Sequence, residues 1–383
     1  SHEEQLRKTA EAIESGTGVI YEAAFSFENV FVKADIMRKT GKGWEIYEVK
    51  SSTSVKEVYL DDIAVQYYTV NGATLPVSKV FLVHINNQYV RQGDIDVKGL
   101  FSVQDVTDIV LEKQPCISRQ LKNIRDMLMG QMPEIDIGLH CNDPYACQFL
   151  GHCWKHIPTP SVFDIRNRLN KFELYQQGII RLEDVPFEIL SNGQRLQVEG
   201  ALQKKNFVNR EAVSAFLNSL WYPLCFLDFE TTFMTAIPLF DGTRPYQQVP
   251  FQYSLHILRD ADAELEHYEY LADAGTDPRR WFIESLLERI PENACVLTYN
   301  KTFEEGRLAD CAVWFPERAQ KIESVVNNIR DLMLLFKNKE VYYWQMQGSY
   351  SLKDVLPPLV PELSYETLEI GDGEMASSAW LNM

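Results

Sequence analysis

The sequence predicts an α/β protein with two domains joined by a helical connector. The chain has 383 residues, about 2.5 times the length of a typical domain. Strand-like alternation of apolar and polar residues is mixed with helical periodicity in residues 1–156 and again in residues 223–383. Residues 157–222 differ, because they open with the proline-containing run Ile157-Pro-Thr-Pro160 and continue as short polar helical segments.

The elements of the first domain begin with a predicted hairpin. Residues 30–37 and 44–50 alternate like paired strands, and Gly43 lies in the turn between them. A helix over residues 55–70 and a strand over residues 79–85 are predicted to follow.

An amphipathic helix is predicted later in the first domain. Ile117, Leu121, Ile124 and Leu128 fall at helical spacing. Three basic residues lie between them, and with two in the connector they are the candidates for binding nucleic acid: Arg119, Lys122, Arg125, Lys204 and Lys205. The alternative is an ordinary solvated helix face.

The connector and the second domain continue this order of elements. The predicted connector helices run from Phe163 to about Gln177 and from Asn209 to Leu220. The second domain begins with an apolar strand over residues 224–230, which should pair with the alternating residues 251–257. A helix, a buried strand and another helix are predicted over residues 281–290, over residues 294–299 and from Phe303 onward.

Charge and composition exclude several classes of protein. The net charge of −17, from 37 Lys and Arg against 54 Asp and Glu, argues against broad phosphate binding but leaves room for a local basic groove. No run approaches the roughly 18 apolar residues of a transmembrane helix, so no membrane partner is expected. The first residues lack the pattern of a signal peptide, and the seven cysteines are an odd number. Both features favour a reducing cytoplasm over a disulfide framework.

The first chemical motif is Asp35 with Glu48 and Lys50. Glu48 and Lys50 are two residues apart on one strand and therefore share a face, and Asp35 lies on the neighbouring strand of the hairpin. Carboxylates bind Mg²⁺, which activates water, and a lysine can orient that water or stabilise developing phosphate charge. The alternative is a solvent-facing strand that carries ordinary charges.

The second motif is Asp228 with Glu230, at the end of an apolar strand where carboxylates are costly without compensation. Glu304 follows another apolar strand in Tyr299-Asn-Lys-Thr-Phe-Glu304 and can reach the same place. Three acids at strand ends are typical of a two-metal site for phosphodiester hydrolysis. The alternative is that these acids cap the helices that follow.

The third motif is a loop in which Cys141, Cys147 and Cys153 are separated by five residues each. Such thiolates bind Zn²⁺ or an iron–sulfur cluster, and both normally take four ligands. The candidates for the fourth ligand are Cys116, His140, His152 and His156. The cysteines in apolar runs are predicted to be structural: Cys225, Cys295 and Cys311.

The first motif, the helix that carries Gln66 and the three cysteines resemble the RecB-like nuclease superfamily. The nearest branch is the CRISPR-associated exonucleases and the iron–sulfur helicase-nucleases. The resemblance implies a restriction-endonuclease-type core, in which Asp35 and Glu48 bind Mg²⁺ or Mn²⁺ and Lys50 and Gln66 complete the catalytic set. It also implies a 4Fe–4S cluster at the cysteines, with Zn²⁺ as the alternative. The usual Gln-x-x-x-Tyr motif of the superfamily has Val70 at its last position here.

Residues 226–232, Phe-Leu-Asp-Phe-Glu-Thr-Thr, together with Tyr299-Asn-x-x-Phe-Glu304, resemble the DnaQ-like 3′–5′ exonucleases. This resemblance implies an RNase H-like fold in which Asp228, Glu230 and Glu304 bind Mg²⁺ or Mn²⁺. The two halves together resemble an uncharacterised bacterial family that fuses both folds, and the likeness covers nearly the whole chain.

The resemblances imply a metal-dependent exonuclease that acts on single-stranded DNA ends in repair, processing or defence, with RNA as an alternative substrate. A nucleic-acid-binding scaffold with one or both sites inactive is the second interpretation. A zinc-dependent regulator would explain the cysteines but not the acids. The sequence has neither the upstream cysteine nor the final aspartate of these families, so we expect residues to be missing at both ends. It does not identify protein partners.

Overall fold

The computed structural model describes residues 1–363 and 368–383, and it is a mixed α/β structure as the sequence predicts. Its internal contacts divide the chain into two units. The first unit contains Ser1–Asp136 and Met234–Gln247, and the second contains Ile137–Phe233 and Gln248–Met383.

This division differs from the predicted domains 1–156 and 223–383. Residues 157–222 are not a separate connector, because their apolar side chains form a buried core within the second unit. The cysteine loop, residues 141–153, belongs to the second unit too. The buried residues of the former connector are Val162, Ile165, Leu174, Leu182, Val185, Leu190 and Val198.

The first unit is built on one five-stranded sheet. Its strands are β1 (Val19–Phe27), β2 (Val30–Thr40), β3 (Gly43–Lys50), β4 (Val77–Ile85) and β5 (Phe101–Asp105). Its helices are α1 (His2–Glu14), α2 (Glu57–Gly72), α3 (Val97–Leu100) and α4 (Thr107–Leu128). The strands lie in chain order, and only β3 and β4 are parallel neighbours. Helix α2 is the crossover that such a parallel pair requires, and its Ile63, Ala64 and Val70 are buried in the core.

The second unit contains seven strands and ten α-helices within its described residues. The strands are β6 (Phe207–Val208), β7 (Leu224–Thr231), β8 (Pro250–Leu258), β9 (Glu266–Leu271), β10 (Cys295–Thr298), β11 (Ile329–Asp331) and β12 (Val341–Tyr342). The helices are α5 (Leu150–Cys153), α6 (Lys171–Gln176), α7 (Asn192–Gln203), α8 (Arg210–Asn218), α9 (Arg279–Arg289), α10 (Lys301–Trp314), α11 (Ala319–Asn327), α12 (Met333–Lys337), α13 (Leu352–Leu359) and α14 (Gly373–Leu381).

Five of these strands form the main sheet of the second unit, in the order β11-β10-β7-β8-β9. Strand β10 runs parallel to both β7 and β11, whereas β8 runs antiparallel to β7 and β9. The carboxyl ends of β7, β10 and β11 therefore lie at one edge of the sheet. Strands β6 and β12 pair separately.

Two predicted helices differ from those observed. Helix α4 begins well before Ile117, and its predicted apolar face is buried only in part, because Ile124 is 48% and Leu128 is 71% exposed. The helix predicted from Phe163 is instead a short 3-10 turn, Val162–Asp164, followed by α6. In the described ranges no helix combines the length and the apolar character needed to cross a membrane.

Candidate functional site

The first candidate site lies where β2 and β3 run side by side. Ile36 is opposite Tyr47 in this antiparallel pair, so Asp35 and Glu48 are neighbours across the two strands. The Asp35 carboxylate accepts a hydrogen bond of 2.8 Å from the backbone N–H of Val49. The local strand pairing thus brings the two predicted carboxylates together.

Lys50 extends from β3 between two carboxylates. Its ammonium donates to Glu48 Oε1 at 2.7 Å and to Asp62 Oδ2 at 2.6 Å. Burial alone would lower the pKa of Lys50, but hydrogen bonds and charge from the two carboxylates raise it above its ordinary value. Sequence analysis does not single out Asp62, which lies one helical turn before Gln66 on α2 and therefore shares its face.

Glu48 and Gln66 each contribute a buried oxygen to this site. Both side chains are 5% exposed, and Glu48 Oε2 and Gln66 Oε1 have no hydrogen-bond partner in the part of the chain that the structure describes. Burial has the largest effect on the pKa of Glu48 and raises it. Hydrogen bonds from Lys50 and Gln66 lower this pKa, and the charge of Asp35 raises it further. Buried oxygens that lack a donor fit ligands of a hard cation.

Residues 234–247 belong to the first unit, although they follow β7 in the chain. The Arg91 guanidinium donates to the backbone carbonyls of Pro238 and Leu239 at 3.0 and 2.8 Å. The backbone of Arg91 also pairs with Thr243 and Gly242, at 3.0 and 2.8 Å. These bonds hold the segment on the loop that follows β4.

Tyr246 connects this segment to the first candidate site. Its hydroxyl donates to the backbone carbonyl of Ser51, the residue that follows Lys50. Its φ of 63° lies in the left-handed region, which is uncommon for a bulky side chain. The segment therefore constrains the chain immediately after Lys50.

The second candidate site lies at the carboxyl edge of the main sheet in the second unit. Asp228 and Glu230 lie two residues apart near the end of β7 and share a face. Glu304 is in the first turn of α10, directly after β10. Because β7 and β10 are parallel neighbours, all three predicted acids lie near the same edge.

The acids at this edge affect one another's pKa values. Burial raises the pKa of Glu304 to about 8, and the charges of Asp228 and Asp331 add to this shift. Burial also raises the pKa of Glu230, with further contributions from Asp228 and Asp372. The pKa of Asp228 is raised by burial as well, although solvent reaches part of its side chain.

The fit of this site to a cation rests on Glu304. Its side chain is 1% exposed, and its Oε2 has no hydrogen-bond partner among residues 1–363 and 368–383. A divalent cation would offset both the unpaired oxygen and the repulsion between the carboxylates. Within those same ranges, no group of three or more His, Cys, Asp or Glu side chains forms a ready-made metal shell.

Two further acids at this edge are not predicted by the sequence analysis. Asp331 ends β11 and accepts hydrogen bonds of 3.0 Å from the N–H groups of Asn300 and Met333. Asp372 is the N-terminal cap of α14. A Cβ added to Gly373, the first residue of that helix, would lie 3.1 Å from the Glu230 carboxylate, so the start of the helix lies against β7. Neither acid has a clear signal in the sequence, because the strand that Asp331 ends is the short run Ile-Arg-Asp, and Asp372 precedes a helix that the pattern does not predict.

The cysteine loop is followed by Trp154 and His156, which contact Phe163 and Tyr175 of the former connector. Cys141 is buried, Cys153 is half-buried and Cys147 is exposed, and all seven cysteines of the chain are free. Backbone N–H groups of Gly138 and Phe149 donate to the sulfurs of Cys141 and Cys147 at 3.5 and 3.4 Å. Hydrogen bonds of this kind stabilise thiolates in metal centres.

The candidates for a fourth ligand are not equivalent. Both ring nitrogens of His156 are engaged, Nδ1 with the carbonyl of Cys153 and Nε2 with the hydroxyl of Tyr175, each at 2.9 Å. Cys116 lies in the first unit, whereas the cysteine loop lies in the second. His152 is an exposed residue of the loop, and His140 is exposed and directly precedes it.

The five predicted nucleic-acid-binding residues differ in their contacts. Arg125 forms an ion pair of 2.6 Å with Glu28, so its charge is already compensated, which argues against its predicted role. Lys204 lies over the ring of Trp344, 5.8 Å from its centroid. Arg119, Lys122 and Lys205 are exposed.

Comparison with known proteins identifies a similar domain and similar bacterial proteins. Residues 225–351 match the family described as "Domain of unknown function (DUF2779)". The chain is 25% identical over 193 residues to "Uncharacterized protein MG366 homolog" of Mycoplasma pneumoniae, a match that covers 44% of this chain and 29% of that protein. It is 26% identical over 170 residues to "Uncharacterized protein UU173" of Ureaplasma parvum, covering 39% of this chain and 24% of that protein. The chain thus spans less than a third of the length of these relatives.

Proposed function

We propose that this protein is a metal-dependent nuclease that hydrolyses phosphodiester bonds at the ends of single-stranded DNA. The observation that carries the proposal is the buried, unpaired carboxylate oxygen of Glu304. Burial raises the pKa of this carboxyl group to about 8, and the charges of Asp228 and Asp331 add to the shift. Glu48 has an equivalent oxygen beside Lys50 in the other unit. Two unrelated sheets thus each carry a buried carboxylate with one unpaired oxygen that a divalent cation would satisfy.

The sheet orders support this proposal. The order β11-β10-β7-β8-β9, with acids at the carboxyl ends of its parallel strands, supports an RNase H-like exonuclease fold for the second unit. The mixed sheet of the first unit, with acids on β2 and β3 and the crossover helix α2 behind them, supports a RecB-like core.

The residues of each site would have distinct tasks. Asp228, Glu230 and Glu304 would hold Mg²⁺ or Mn²⁺ in the second unit, and Asp35 and Glu48 would do so in the first. Such ions supply an activated water and stabilise the leaving oxygen. Lys50 would release Glu48 to the cation, keep its contact with Asp62, and orient the water or contact a phosphate oxygen. The Gln66 carbonyl faces the same site and would accept a hydrogen bond there.

The cysteine loop would hold a 4Fe–4S cluster through Cys141, Cys147 and Cys153. The N–H groups directed at two of the sulfurs support this assignment, and Zn²⁺ is the alternative metal. The free state of all seven cysteines supports a reducing cytoplasm as the place of action.

The test is cleavage of a 5′-labelled single-stranded DNA with Mg²⁺ or Mn²⁺. Asp228→Asn should remove nearly all cleavage by the second unit, because metal ligands act as a set and one loss costs more than the roughly 10–100-fold typical of supporting residues. Lys50→Ala should remove cleavage by the first unit, and the double variant should be inactive. Mn²⁺ titration should show one weakened site in Asp228→Asn.

Asp184→Asn is the matched control, since Asp184 is an exposed aspartate of the same unit. It should cleave at the wild-type rate. Full activity in the double variant would refute the proposal. A wild-type protein that binds the strand but cleaves neither DNA nor RNA would favour the scaffold instead.

A further inference from the structure

A cleft of about 550 Å³ opens in the second unit, where the chain leaves β10, and it is separate from the cavity that Asp228 and Glu230 line. Residues from four separate parts of the chain line it, among them Arg166, Asn167, Tyr299, Asn300, Ser349 and Tyr350. Asn300 directly precedes α10, which carries Glu304 in its first turn. Four residues of helix rise about 6 Å, so the cleft begins roughly one helical turn from the Glu304 carboxylate.

Among the described residues, the lining of the cleft contains one basic side chain, Arg166, and no acidic one. Arg166 is exposed, and its guanidinium forms no ion pair with a carboxylate in the described ranges. Behind the lining, Lys339 is 4% exposed, and its ammonium donates to the Gly348 carbonyl at 3.2 Å. Burial lowers the pKa of Lys339, and the nearby charge of Arg166 lowers it further. Arg166 is thus the cation that faces the cleft, while Lys339 is buried behind the lining on the Gly348 carbonyl. An exposed guanidinium without a carboxylate partner suits an anionic ligand.

Buried glutamines hold Arg166 in place. Gln197 Oε1 accepts a hydrogen bond of 2.9 Å from the backbone N–H of Arg166. The Gln194 side chain donates a hydrogen bond of 3.1 Å to the backbone carbonyl of Arg166. The side-chain amide of Gln197 also packs against Gly348. A Cβ added to Gly348 would lie 2.5 Å from that amide, and the φ of Gly348 is 78°. The former connector is therefore bound rigidly to the opposite wall of the cleft.

An aromatic wall completes the cleft. Tyr350 is 38% exposed, and its backbone carbonyl accepts a 2.6 Å hydrogen bond from the Tyr299 hydroxyl. The Lys337 ammonium lies 5.9 Å from the centre of the Tyr350 ring. Ser349 donates to Asp354 at 2.6 Å, and Asp354 lies outside the lining. A basic groove with an exposed ring is the usual platform for a single nucleic acid strand.

We propose that this cleft holds the part of a single nucleic acid strand next to the acids, with Arg166 on a backbone phosphate and Tyr350 stacked on a base. The inference rests on the proposed nuclease function for the choice of ligand. In this proposal residues 157–222 bind the strand directly. Their contact with a backbone phosphate is made by Arg166 rather than by Lys204 and Lys205.

The experiment measures binding rather than cleavage. A fluorescent oligothymidylate of about 12 nucleotides is titrated with the full chain in EDTA, over a salt series. Arg166→Ala should weaken binding about tenfold and reduce the slope of log K against log salt by about 0.7, the share of one phosphate contact on a single strand. Tyr350→Ala should also weaken binding about tenfold but leave the slope unchanged, because stacking releases no counterions.

Arg168→Ala is the matched control, because Arg168 is also exposed, lies two residues further on and does not line the cleft. It should change binding less than about twofold. An unchanged slope in Arg166→Ala, or equal effects of both arginine variants, would overturn the inference. Since EDTA prevents metal-dependent cleavage, a failure here is separate from a failure of Asp228→Asn to abolish cleavage.

Discussion

The burial of Glu304 links the stability of the second unit to pH. In the unfolded chain this carboxyl group loses its proton near its ordinary pKa of 4.5, whereas in the fold its pKa is about 8. Between these values the folded state binds more protons than the unfolded state. The free energy of unfolding therefore falls as pH rises from about 4.5 to about 8.

Glu304→Gln should flatten this pH dependence, because the amide keeps the shape of the side chain and does not ionise. We expect the difference in unfolding free energy between pH 5 and pH 8 to shrink by roughly 1–3 kcal/mol. Urea denaturation in EDTA measures it, with the exposed Glu188→Gln as control. Equal pH slopes in both variants would show that Glu304 is not the responsible group.

Single residues were predictable where local geometry alone determines them. The two-residue period of a strand suffices to place Glu48 beside Lys50, and their 2.7 Å contact agrees with it. Asp62 and Asp331 escape such reasoning, because each reaches its site through contacts between distant parts of the chain. Arg125 shows the reverse case, since its partner Glu28 is far away in sequence and neutralises a charge that looked free.

At the scale of elements, strands with clear alternation were predicted and polar helices were not. The two strands of the first hairpin and the pairing of β7 with β8 are confirmed. Helix α7 was missed because its inner face carries Gln194 and Gln197, which are buried through hydrogen bonds rather than apolar contacts. Hydrophobic periodicity does not register such a helix.

The cysteine loop is the element whose stability should depend most on a bound metal. Cys153→Ala should remove iron or zinc from the anaerobically purified protein and lower its melting temperature, because metal binding contributes directly to folding. Metal analysis and visible absorption measure the content. Cys311→Ala is the control, since Cys311 is buried in the apolar core of the main sheet and should keep the metal. Equal metal content in both variants would contradict the assignment.

At the scale of the whole molecule, the sequence predicts two α/β units but misplaces their limits. Linker prolines marked residues 157–222 as a boundary, yet their apolar residues form a core of the second unit. Composition also gives no sign that residues 234–247 return to the first unit. That placement depends on Arg91 and its carbonyl partners, which are about 150 positions apart in the chain.

Replacing residues 237–243 with a Gly-Ser sequence of equal length should loosen the first unit. The Arg91 guanidinium would lose its fixed carbonyl acceptors, and we expect amide exchange in β3 and β4 to accelerate about tenfold. Hydrogen exchange with mass spectrometry measures this, and the same replacement of the exposed residues 131–135 is the control. Unchanged protection of β3 and β4 would show that the segment is dispensable.

The return of residues 234–247 to the first unit also bears on how such a protein can evolve. The gene encodes part of the first unit between β7 and β8, in the middle of the sheet that carries Asp228 and Glu230. One recombination event therefore cannot exchange, duplicate or delete either unit intact, because every single crossover that separates them also splits one of them. Exchange of one intact unit takes more than one crossover, because residues 234–247 are encoded apart from the rest of their unit.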